Sequence, residues 1–415
     1  MNHRVVITGL GVCSPVGGGT EEFWQNLLAG RSGIGPVTLF DTRTMTVRIG
    51  GEAKGLDPAR LAAEFPQAGR ETDRKIALGL TAASQAIRDA GLPADDLRAA
   101  MVFAGVSLES FPLDQIKMAA GADELIRTLA GAGSVKLQTP LDSLTRMLGG
   151  RFGFNGGQIT NCSACAAGAQ VIGEAFRRLR AGQCSVALAG AADSVLNPLG
   201  LGGFSLLRIL STENETPQQA CRPFDATRQG TVLGEGAAFL VLETLHHART
   251  RSARIYAEVL GYGTSLDAYR ATDPEPSGQG AARGIRRALA DAGLHPDEVD
   301  AVNAHGTGTP KNDIAETLAL KAALGPRAHA IPVTANKSMT GHLIAASGTL
   351  EAAASVMSLH TGWLPPTINL EHPDPLCDLD YVADGKREFV GKVVLSNSFG
   401  FGGQNATLIF GKYHE

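Results

Sequence analysis

The sequence predicts an α/β protein built from two similar halves, and three observations support this prediction. First, the chain has 415 residues, which exceeds the size at which a single hydrophobic core keeps growing. Second, 44% of the residues are hydrophobic, 19% are charged and 51 are glycine, a composition typical of a folded globular enzyme. Third, strand-like and helix-like segments alternate, which favours mostly parallel sheets covered by helices. We expect an N-terminal half over residues 1–252 and a C-terminal half over residues 253–415.

A weak duplication about half a chain apart supports the two halves. The segment Ala86–Leu92 resembles Ala288–Leu294, and both have the pattern of a helix that ends at glycine. In each copy, proline and acidic residues follow and lead into a β-type run. These runs are Met101–Gly105 in the first copy and Ala301–His305 in the second.

A second correspondence pairs Ile159–Gly168 with Val333–Gly341. Each segment is predicted to be a strand that leads into a helix start rich in glycine and alanine. In open α/β sheets, ligands bind beyond the carboxyl ends of strands. We therefore expect functional residues in both segments.

Charge and hydropathy exclude several classes of protein. The net charge of −4 at pH 7 gives no global electrostatic reason to bind nucleic acid or an anionic membrane. A strand-like run starts at Val5 without a preceding signal pattern, and apolar runs stop well short of the roughly 20 residues that cross a bilayer. We expect a cytoplasmic protein that binds neither nucleic acid nor membrane, and whose six cysteines form no disulfides.

The segment Asn161–Gly168 places two cysteines at a predicted strand-to-helix junction. Val171–Phe176 has helical periodicity and the helix ends near Gly182, so Cys165 is expected near a helix amino terminus. That position supplies partial positive charge and free N–H groups, which lower a thiol pKa and can hold an oxyanion. Cys165 is therefore a candidate nucleophile. Taken alone, burial as a structural thiol is the more common role for a cysteine.

The spacing of Cys162 and Cys165 also fits a metal site or a redox motif. However, no second cysteine pair or histidine pair stands at zinc-finger spacing. A thioredoxin-like role is disfavoured because the motif lies deep in a long chain and lacks a small redox domain around it. We therefore expect no metal site here.

Two further motifs contain histidines at predicted turns. The first, Asn303–Pro310, turns through glycines after His305, and the second, Asn336–His342, leads into a predicted helix that carries Glu351 in its apolar interior. A buried glutamate must find a partner, and Lys337 is the candidate. A lone histidine at a strand end is more often structural than catalytic, but two of them strengthen the case for a cysteine nucleophile.

The fourth motif is the glycine-rich segment Ser396–Asn405. Its glycines permit close backbone approach and unusual dihedral angles. A structural turn is one interpretation. Because two phenylalanines, Phe399 and Phe401, lie inside the segment, we interpret it as a hinged gate.

At these four motifs the chain resembles the β-ketoacyl-acyl carrier protein synthases of the thiolase superfamily, most closely the type II elongating synthases of fatty-acid synthesis. The match runs over essentially the whole chain. It includes Val5–Gly11, Pro198–Phe204, Arg222–Asp225 and Gly341–Leu343. The resemblance implies a thiolase-like five-layered α-β-α-β-α fold, made of the two similar halves, and a homodimer.

The resemblance also implies an activity, a decarboxylative Claisen condensation. Cys165 resembles the nucleophile that takes an acyl group from a carrier-protein thioester, and His305 and His342 resemble the catalytic pair that stabilises the enolate formed from malonyl-carrier protein. Lys337 and Glu351 resemble the supporting charge network. No cofactor is implied beyond the phosphopantetheine that carries the substrates.

Further residues take roles by the same resemblance. Phe401 resembles a gating residue whose backbone N–H joins that of Cys165 in an oxyanion hole, and Phe399 lies in the same gate. Thr307 and Thr309 resemble the hydroxyls that hold the pantetheine amides.

The partner implied by the resemblance is an acidic acyl carrier protein. It requires a local basic surface despite the negative net charge of the chain. We assign Arg74, Lys75 and Arg208 to this surface, ordinary solvated charge being the alternative.

Several related activities are disfavoured by single residues. A degradative thiolase needs a second catalytic cysteine in the C-terminal glycine-rich loop, and Ser396–Asn405 contains none. The initiating synthases place asparagine where His342 stands, and a non-catalytic chain-length subunit lacks the nucleophile at Cys165. A purely structural or carrier-binding scaffold is a different hypothesis, which predicts no acylation of Cys165.

Two departures from the elongating synthases concern the substrate. Val106–Pro112 stands where those enzymes carry a glycine-rich segment that lines the acyl pocket, and Asn161 and Cys162 are atypical before the nucleophile. Both keep open a specialised type II polyketide or aryl polyene pathway, with a heterodimeric partner subunit in place of a second copy.

Overall fold

The computed structural model describes residues 3–66, 73–108 and 140–414. The strands in these ranges are β1 Val5–Cys13, β2 Ile34–Pro36, β3 Ile49–Gly51, β4 Met101–Gly105, β5 Gln158–Asn161, β6 Val186–Ser194, β7 Glu235–Thr244, β8 Ala257–Leu266, β9 Ala301–Asn303, β10 Val333–Thr334, β11 Trp363–Leu364, β12 Arg387–Glu388, β13 Val393–Gly400 and β14 Gln404–Gly411.

The α-helices alternate with these strands. They are α1 Thr20–Leu28, α2 Pro58–Glu64, α3 Arg74–Ala90, α4 Ala94–Ala99, α5 Ser143–Phe152, α6 Ala167–Arg180, α7 Pro198–Leu206, α8 Leu245–Thr250, α9 Gln279–Ala292, α10 Pro310–Leu324, α11 Lys337–Thr340 and α12 Ser347–Thr361. Within the described ranges, no helix is long and apolar enough to cross a membrane.

One sheet of ten strands runs through the molecule in the order β10-β9-β13-β14-β8-β1-β7-β6-β4-β5. The order is symmetric about its centre. In the N-terminal half, β1, β7 and β6 pair antiparallel and β6, β4 and β5 pair parallel. In the C-terminal half, β8, β14 and β13 pair antiparallel and β13, β9 and β10 pair parallel. The two similar halves predicted from the sequence are therefore confirmed.

The direction of the strands differs from the prediction of mostly parallel sheets. Each half combines two antiparallel and two parallel pairings, because β7 and β14 each run antiparallel to both of their neighbours. Alternation of helices and strands along a sequence does not fix the direction of such strands. The halves join where Val5–Ile7 of β1 pairs with Ala257–Val259 of β8.

The helices form three layers around the two halves of the sheet. Helix α3 packs on the outer face of β1, β7 and β6, and α9 packs on the outer face of β8 and β14 with α10 beside it. Helices α6 and α12 lie between the halves, where they contact each other and strands of both. This arrangement is the five-layered α-β-α-β-α fold that the resemblance implies.

The composition of α12 explains its central position. Its residues from Ser347 to Leu359 are all buried, and alanine, serine and glycine occur around the whole circumference. A helix with no polar face is stable only where protein surrounds it. By contrast, α6 buries an apolar face and ends in three arginines, which complement the negative end of the helix dipole.

The duplicated helix ends lie where the sequence predicts them. Helix α3 stops before Gly91 at φ 60° and α9 stops before Gly293 at φ 68°, a left-handed conformation that glycine adopts without strain. The strands β4 and β9 follow these two turns. The first sequence correspondence is therefore confirmed.

The second correspondence needs a correction. Cβ atoms at Gly168 and Gly348, each the second residue of its helix, would meet backbone of the opposite helix start. The structural counterpart of Gly168 is thus Gly348 and not Gly341. The predicted alignment is wrong because the short helix α11 is inserted between β10 and the central helix of the C-terminal half.

We expect Gly168→Ala to lower the free energy of unfolding by about 1–3 kcal/mol. An added Cβ would lie 2.6 Å from the carbonyl oxygen of Ala345 and 2.9 Å from the nitrogen of Thr349, which forces the two central helices apart. Chemical denaturation measures this change. The matched control is Gly150→Ala in α5, where an added Cβ meets nothing within 4 Å. Equal destabilisation by both substitutions would contradict the role of close helix contact.

Candidate active site

The candidate site lies where the starts of the two central helices meet. Cys165 lies in a 3₁₀ turn, Ala164–Ala166, that leads directly into α6, and the equivalent turn Ile344–Ala346 leads into α12. Ala164 has φ 49° and Ile344 has φ 48°. Left-handed backbone is uncommon for alanine and strained for a β-branched residue, and such strain concentrates at functional sites.

The Cys165 thiol is buried and surrounded by hydrogen-bond donors. Its Sγ lies 3.2 Å from Nε2 of His342, and the backbone N–H groups of Phe401 and of Cys165 itself point at the sulfur. Burial raises the pKa of the Cys165 thiol to about 11, while the Lys337 charge and the two N–H groups act in the opposite direction. The expectation of a lowered pKa is wrong because loss of hydration outweighs the helix start.

The tautomer of His342 follows from its neighbours. The backbone N–H of Ile344 donates to Nδ1 of His342 over 3.2 Å, so Nδ1 is an acceptor and carries no proton. In the neutral imidazole the proton then resides on Nε2. The His342 N–H therefore points toward Cys165 and the cleft above it.

His305 is held in the same way by a buried lysine. Nζ of Lys337 lies 3.2 Å from Nδ1 of His305 and 2.6 Å from its carbonyl oxygen, and it also contacts Oε1 of Glu351. An ammonium group only donates hydrogen bonds, so Nδ1 of His305 accepts and Nε2 carries the proton. The two imidazole rings lie 5.3 Å apart and nearly perpendicular.

Burial and charge keep both imidazoles neutral. The pKa of His305 lies well below the ordinary 6.5 because of burial, the Lys337 charge and His342. Burial and Lys337 lower the pKa of His342 in the same direction. Burial raises the pKa of Glu351 to about 7, against the pull of the Lys337 ammonium.

Two buried carboxylates that the sequence analysis missed position the His305 loop. Glu316 accepts hydrogen bonds from the backbone N–H groups of His305 and Gly306, each over 2.8 Å. Asp313 accepts one from Gly308 over 3.2 Å. Burial raises the pKa of both carboxyls. Their spacing in the sequence could have revealed them. The two acids lie one turn apart on a mostly buried helix that directly follows the glycine turn.

A cleft of about 410 Å³ opens over the cysteine and the two histidines. Thr307 and Thr309 line it, with their hydroxyl oxygens 2.9 Å apart. Phe399 also lines it, with its ring 5.7 Å from the ring of His305. Phe401 stacks on Phe204 at the cleft wall, with ring centroids 6.3 Å apart.

The three residues assigned to a basic carrier surface occupy different environments. Arg208 is exposed and lines the cleft. Nε of Arg74 lies 2.7 Å from a carboxylate oxygen of buried Glu235. Lys75 is only 2% exposed and pairs with Asp73. The assignment of Lys75 to the surface is therefore wrong, because its carboxylate partner holds the ammonium inside the protein.

The segment that departs from the elongating synthases is described only in part. Ser107 is buried, and its carbonyl oxygen accepts a hydrogen bond from the Cys162 thiol over 2.7 Å. Leu108 is exposed, and residues 109–112 lie outside the described residues. Within the described part of the chain, no group of three or more histidine, cysteine, aspartate or glutamate side chains is arranged to hold a metal ion.

Comparison with family models gives two matches that together cover most of the chain. The N-terminal domain of beta-ketoacyl synthase matches residues 2–248, and the C-terminal domain of beta-ketoacyl synthase matches residues 256–371.

Two relatives match this chain over nearly their whole length. A 3-oxoacyl-[acyl-carrier-protein] synthase 2 from Synechocystis sp. is 42% identical over 99% of this chain and 98% of its own length. A protein of the same name from Coxiella burnetii is 40% identical over 100% of this chain and 99% of its own length.

Solved structures agree in fold. The ishigamide ketosynthase/chain length factor superposes with a TM-score of 0.88 at 36% identity, with full coverage of both chains. A type II polyketide synthase acyl-carrier protein in complex with its ketosynthase, AntDE:AntF, matches with a TM-score of 0.85 at 32% identity, also over both whole chains. The chain therefore belongs to the β-ketoacyl synthase family.

Proposed function

We propose that this protein is a 3-oxoacyl-[acyl-carrier-protein] synthase that condenses an acyl group on Cys165 with malonyl-carrier protein, with release of carbon dioxide. One observation carries the proposal. Two neutral imidazoles, each with its proton on Nε2, face the cleft beside the buried thiol.

The first step transfers an acyl group onto the enzyme. The sulfur of Cys165 attacks the thioester carbon of the acyl-carrier protein, and a tetrahedral oxyanion forms. We assign the stabilisation of its negative charge to the backbone N–H groups of Cys165 and Phe401, which interact with the thiol sulfur. The carbon–sulfur bond to pantetheine then breaks, and the thiol proton of Cys165 passes to the pantetheine sulfur. Because the carrier leaves with that proton, the buried enzyme is left without a net charge change.

The second step generates the carbon nucleophile. The bond between the malonyl carboxylate and its α-carbon breaks, carbon dioxide leaves, and the electron pair spreads onto the thioester oxygen. The Nε2–H groups of His305 and His342 donate to that oxygen, and removing one such donor typically costs about 10²–10³ in rate. The α-carbon then attacks the acyl carbon on Cys165, and the carbon–sulfur bond to the enzyme breaks. The departing Cys165 thiolate takes up one proton from solvent, which restores the thiol for the next acyl group.

The neutral state of the histidines matters for this step. A neutral imidazole is a very weak acid, so it donates a hydrogen bond to the enolate without giving up its proton. An imidazolium would protonate the α-carbon and end the reaction before condensation. Burial and the Lys337 charge, which lower both pKa values, therefore serve the chemistry directly.

We assign the cleft to the pantetheine arm of the substrate carrier. We assign Thr307 and Thr309, which line the cleft together, to the pantetheine amides, and Phe399 and Phe401 to a gate between the cleft and the thiol. An acyl carrier protein is the proposed partner, and Arg208 at the cleft is the residue assigned to meet its acidic surface.

The edge strand of the sheet supports the proposal that the protein forms a dimer. Within residues 3–66, 73–108 and 140–414, strand β5 ends the ten-stranded order and pairs on one side with β4. An unpaired edge is a template for another strand, so we propose a dimer, either of two copies or with a related subunit. The solved relative described as a ketosynthase/chain length factor supports the second form.

The proposed pathway is fatty-acid elongation, because full-length relatives at 40% and 42% identity are named 3-oxoacyl-[acyl-carrier-protein] synthase 2. A type II polyketide or aryl polyene pathway is the second candidate. It is favoured by the 36% identity to the ishigamide ketosynthase/chain length factor.

Intact-protein mass spectrometry tests the covalent step. Incubation with acyl-carrier protein should add the mass of one acyl group to the wild-type chain and none to Cys165→Ala, because only that thiol lies between the two histidines and the backbone donors. Cys162→Ala is the matched control and should acylate like the wild type. Acylation of Cys165→Ala would contradict the assignment.

The decarboxylation half of the reaction should survive without the nucleophile. We expect Cys165→Ala to release carbon dioxide from malonyl-carrier protein at a rate that stays flat between about pH 6 and pH 8. The reason is that the pKa values of both histidines are lowered. Both rings stay neutral down to well below pH 6.5, so the decarboxylation rate should not fall near that pH. A rate that falls as pH drops through 6.5 would show that a histidine titrates there.

Lys337→Ala should retain acylation of Cys165 but lose about 10²-fold or more in condensation. Without the ammonium, Nδ1 of His305 loses the donor that fixes its tautomer, whereas the thiol keeps its backbone donors. Single-turnover assays of each half reaction measure the two effects separately. Lys321→Ala is the control, because it removes a lysine of α10 that pairs with Asp378. Full condensation by Lys337→Ala would refute the role of Lys337.

A further inference from the structure

A serine hydroxyl lies against the face of His342 that points away from the thiol. Oγ of Ser347 is 2.9 Å from Nδ1 of His342. The same oxygen accepts a hydrogen bond from the backbone N–H of Leu343 over 2.9 Å. Both groups are buried, since Ser347 is 2% exposed and His342 is 5% exposed.

The direction of the Ser347 hydrogen bond is determined by its other contacts. Nδ1 of His342 already accepts the N–H of Ile344, so it carries no proton to donate. The Ser347 oxygen already accepts the N–H of Leu343. The hydroxyl proton of Ser347 therefore points at Nδ1, which becomes an acceptor for two donors.

We propose that Ser347 is a positioning residue that keeps His342 in its neutral form with the proton on Nε2, ready to donate to the thioester oxygen. This inference rests on the proposed condensation and adds to it a residue that never touches the substrate. As the first residue of α12, Ser347 ties the orientation of the imidazole to the helix that contacts the nucleophile helix α6.

Two donors on Nδ1 act on both the orientation and the protonation of the ring. They stabilise the neutral imidazole. In the imidazolium, Nδ1 would carry a proton of its own that faces the two donor hydrogens. Among the described residues, three ionisable groups act on the ring from neighbouring elements: Cys165 before α6, His305 after β9 and Lys337 on α11. Asp193 at the end of β6 binds the turn that follows His342, where it accepts the backbone N–H of Ala345 over 3.0 Å. Ser347 is the uncharged contact that reaches Nδ1 from α12.

The test uses malonyl-carrier protein decarboxylation in the full-length Cys165→Ala chain. Adding Ser347→Ala should lower the rate at neutral pH by about three- to tenfold, the value of one hydrogen bond. As the pH is lowered, the decarboxylation rate should also begin to fall at a higher pH than in the parent. Ser347→Thr keeps the hydroxyl and should keep the parent profile. Ser358→Ala removes a buried hydroxyl that donates to the backbone carbonyl of Ala354 within α12, and it should match the parent.

A second measurement reports on the ring directly. Side-chain ¹⁵N spectra of the histidine-labelled wild-type chain, with His342 assigned from a His342→Gln sample, should show an unprotonated Nδ1 and a protonated Nε2. This readout does not depend on the folding of Ser347→Ala. A protonated Nδ1 in the wild type, or an unchanged pH profile in folded Ser347→Ala, would overturn the proposal. If Cys165→Ala itself releases no carbon dioxide, the proposed function fails and not the role of Ser347.

Discussion

The buried ammonium group of Lys337 is the constraint on which the rest of the site depends. It contacts Nδ1 and the carbonyl oxygen of His305 and a carboxylate oxygen of Glu351, so its three protons link the His305 turn to the central helix α12. Removing one partner of a buried ion pair typically costs about 3–5 kcal/mol. The same charge lowers the pKa of both histidines. One cation thus fixes the geometry of the site and its protonation state.

The duplicated fold brings this charge network to the thiol. Each half contributes a strained turn and the start of a central helix, with Ala164 and Cys165 from one half and Ile344 from the other. Glycine as the second residue of each helix lets the two starts approach within backbone contact. The proposed nucleophile and the two proposed catalytic histidines therefore come from different halves, although the halves share one topology. In the proposed reaction Cys165 receives the acyl group, while the equivalent turn orients His342.

Much of this architecture could be predicted from the sequence, and the reasons for the remainder are physical. Periodicity and glycine placement locate β1, α3 and α9 because local patterns determine them. The burial of Lys75 escaped prediction because Asp73 neutralises its charge, and the raised pKa of Cys165 escaped because the extent of burial is a tertiary property. The roles of Glu316 and Ser347 were not predicted either. Glu316 accepts hydrogen bonds from backbone N–H groups and Ser347 contacts a ring nitrogen, and the motif around Cys165 reveals neither contact.

A crystal structure with a non-hydrolysable malonyl-pantetheine analogue in the cleft would show which donors bind the thioester oxygen. We expect the carbonyl oxygen of the analogue that replaces the thioester oxygen to lie about 3 Å from Nε2 of both His305 and His342. Nζ of Lys337 should still lie beside Nδ1 of His305. A carbonyl oxygen bound to only one imidazole, or held by the backbone N–H groups of Cys165 and Phe401 instead, would contradict this expectation.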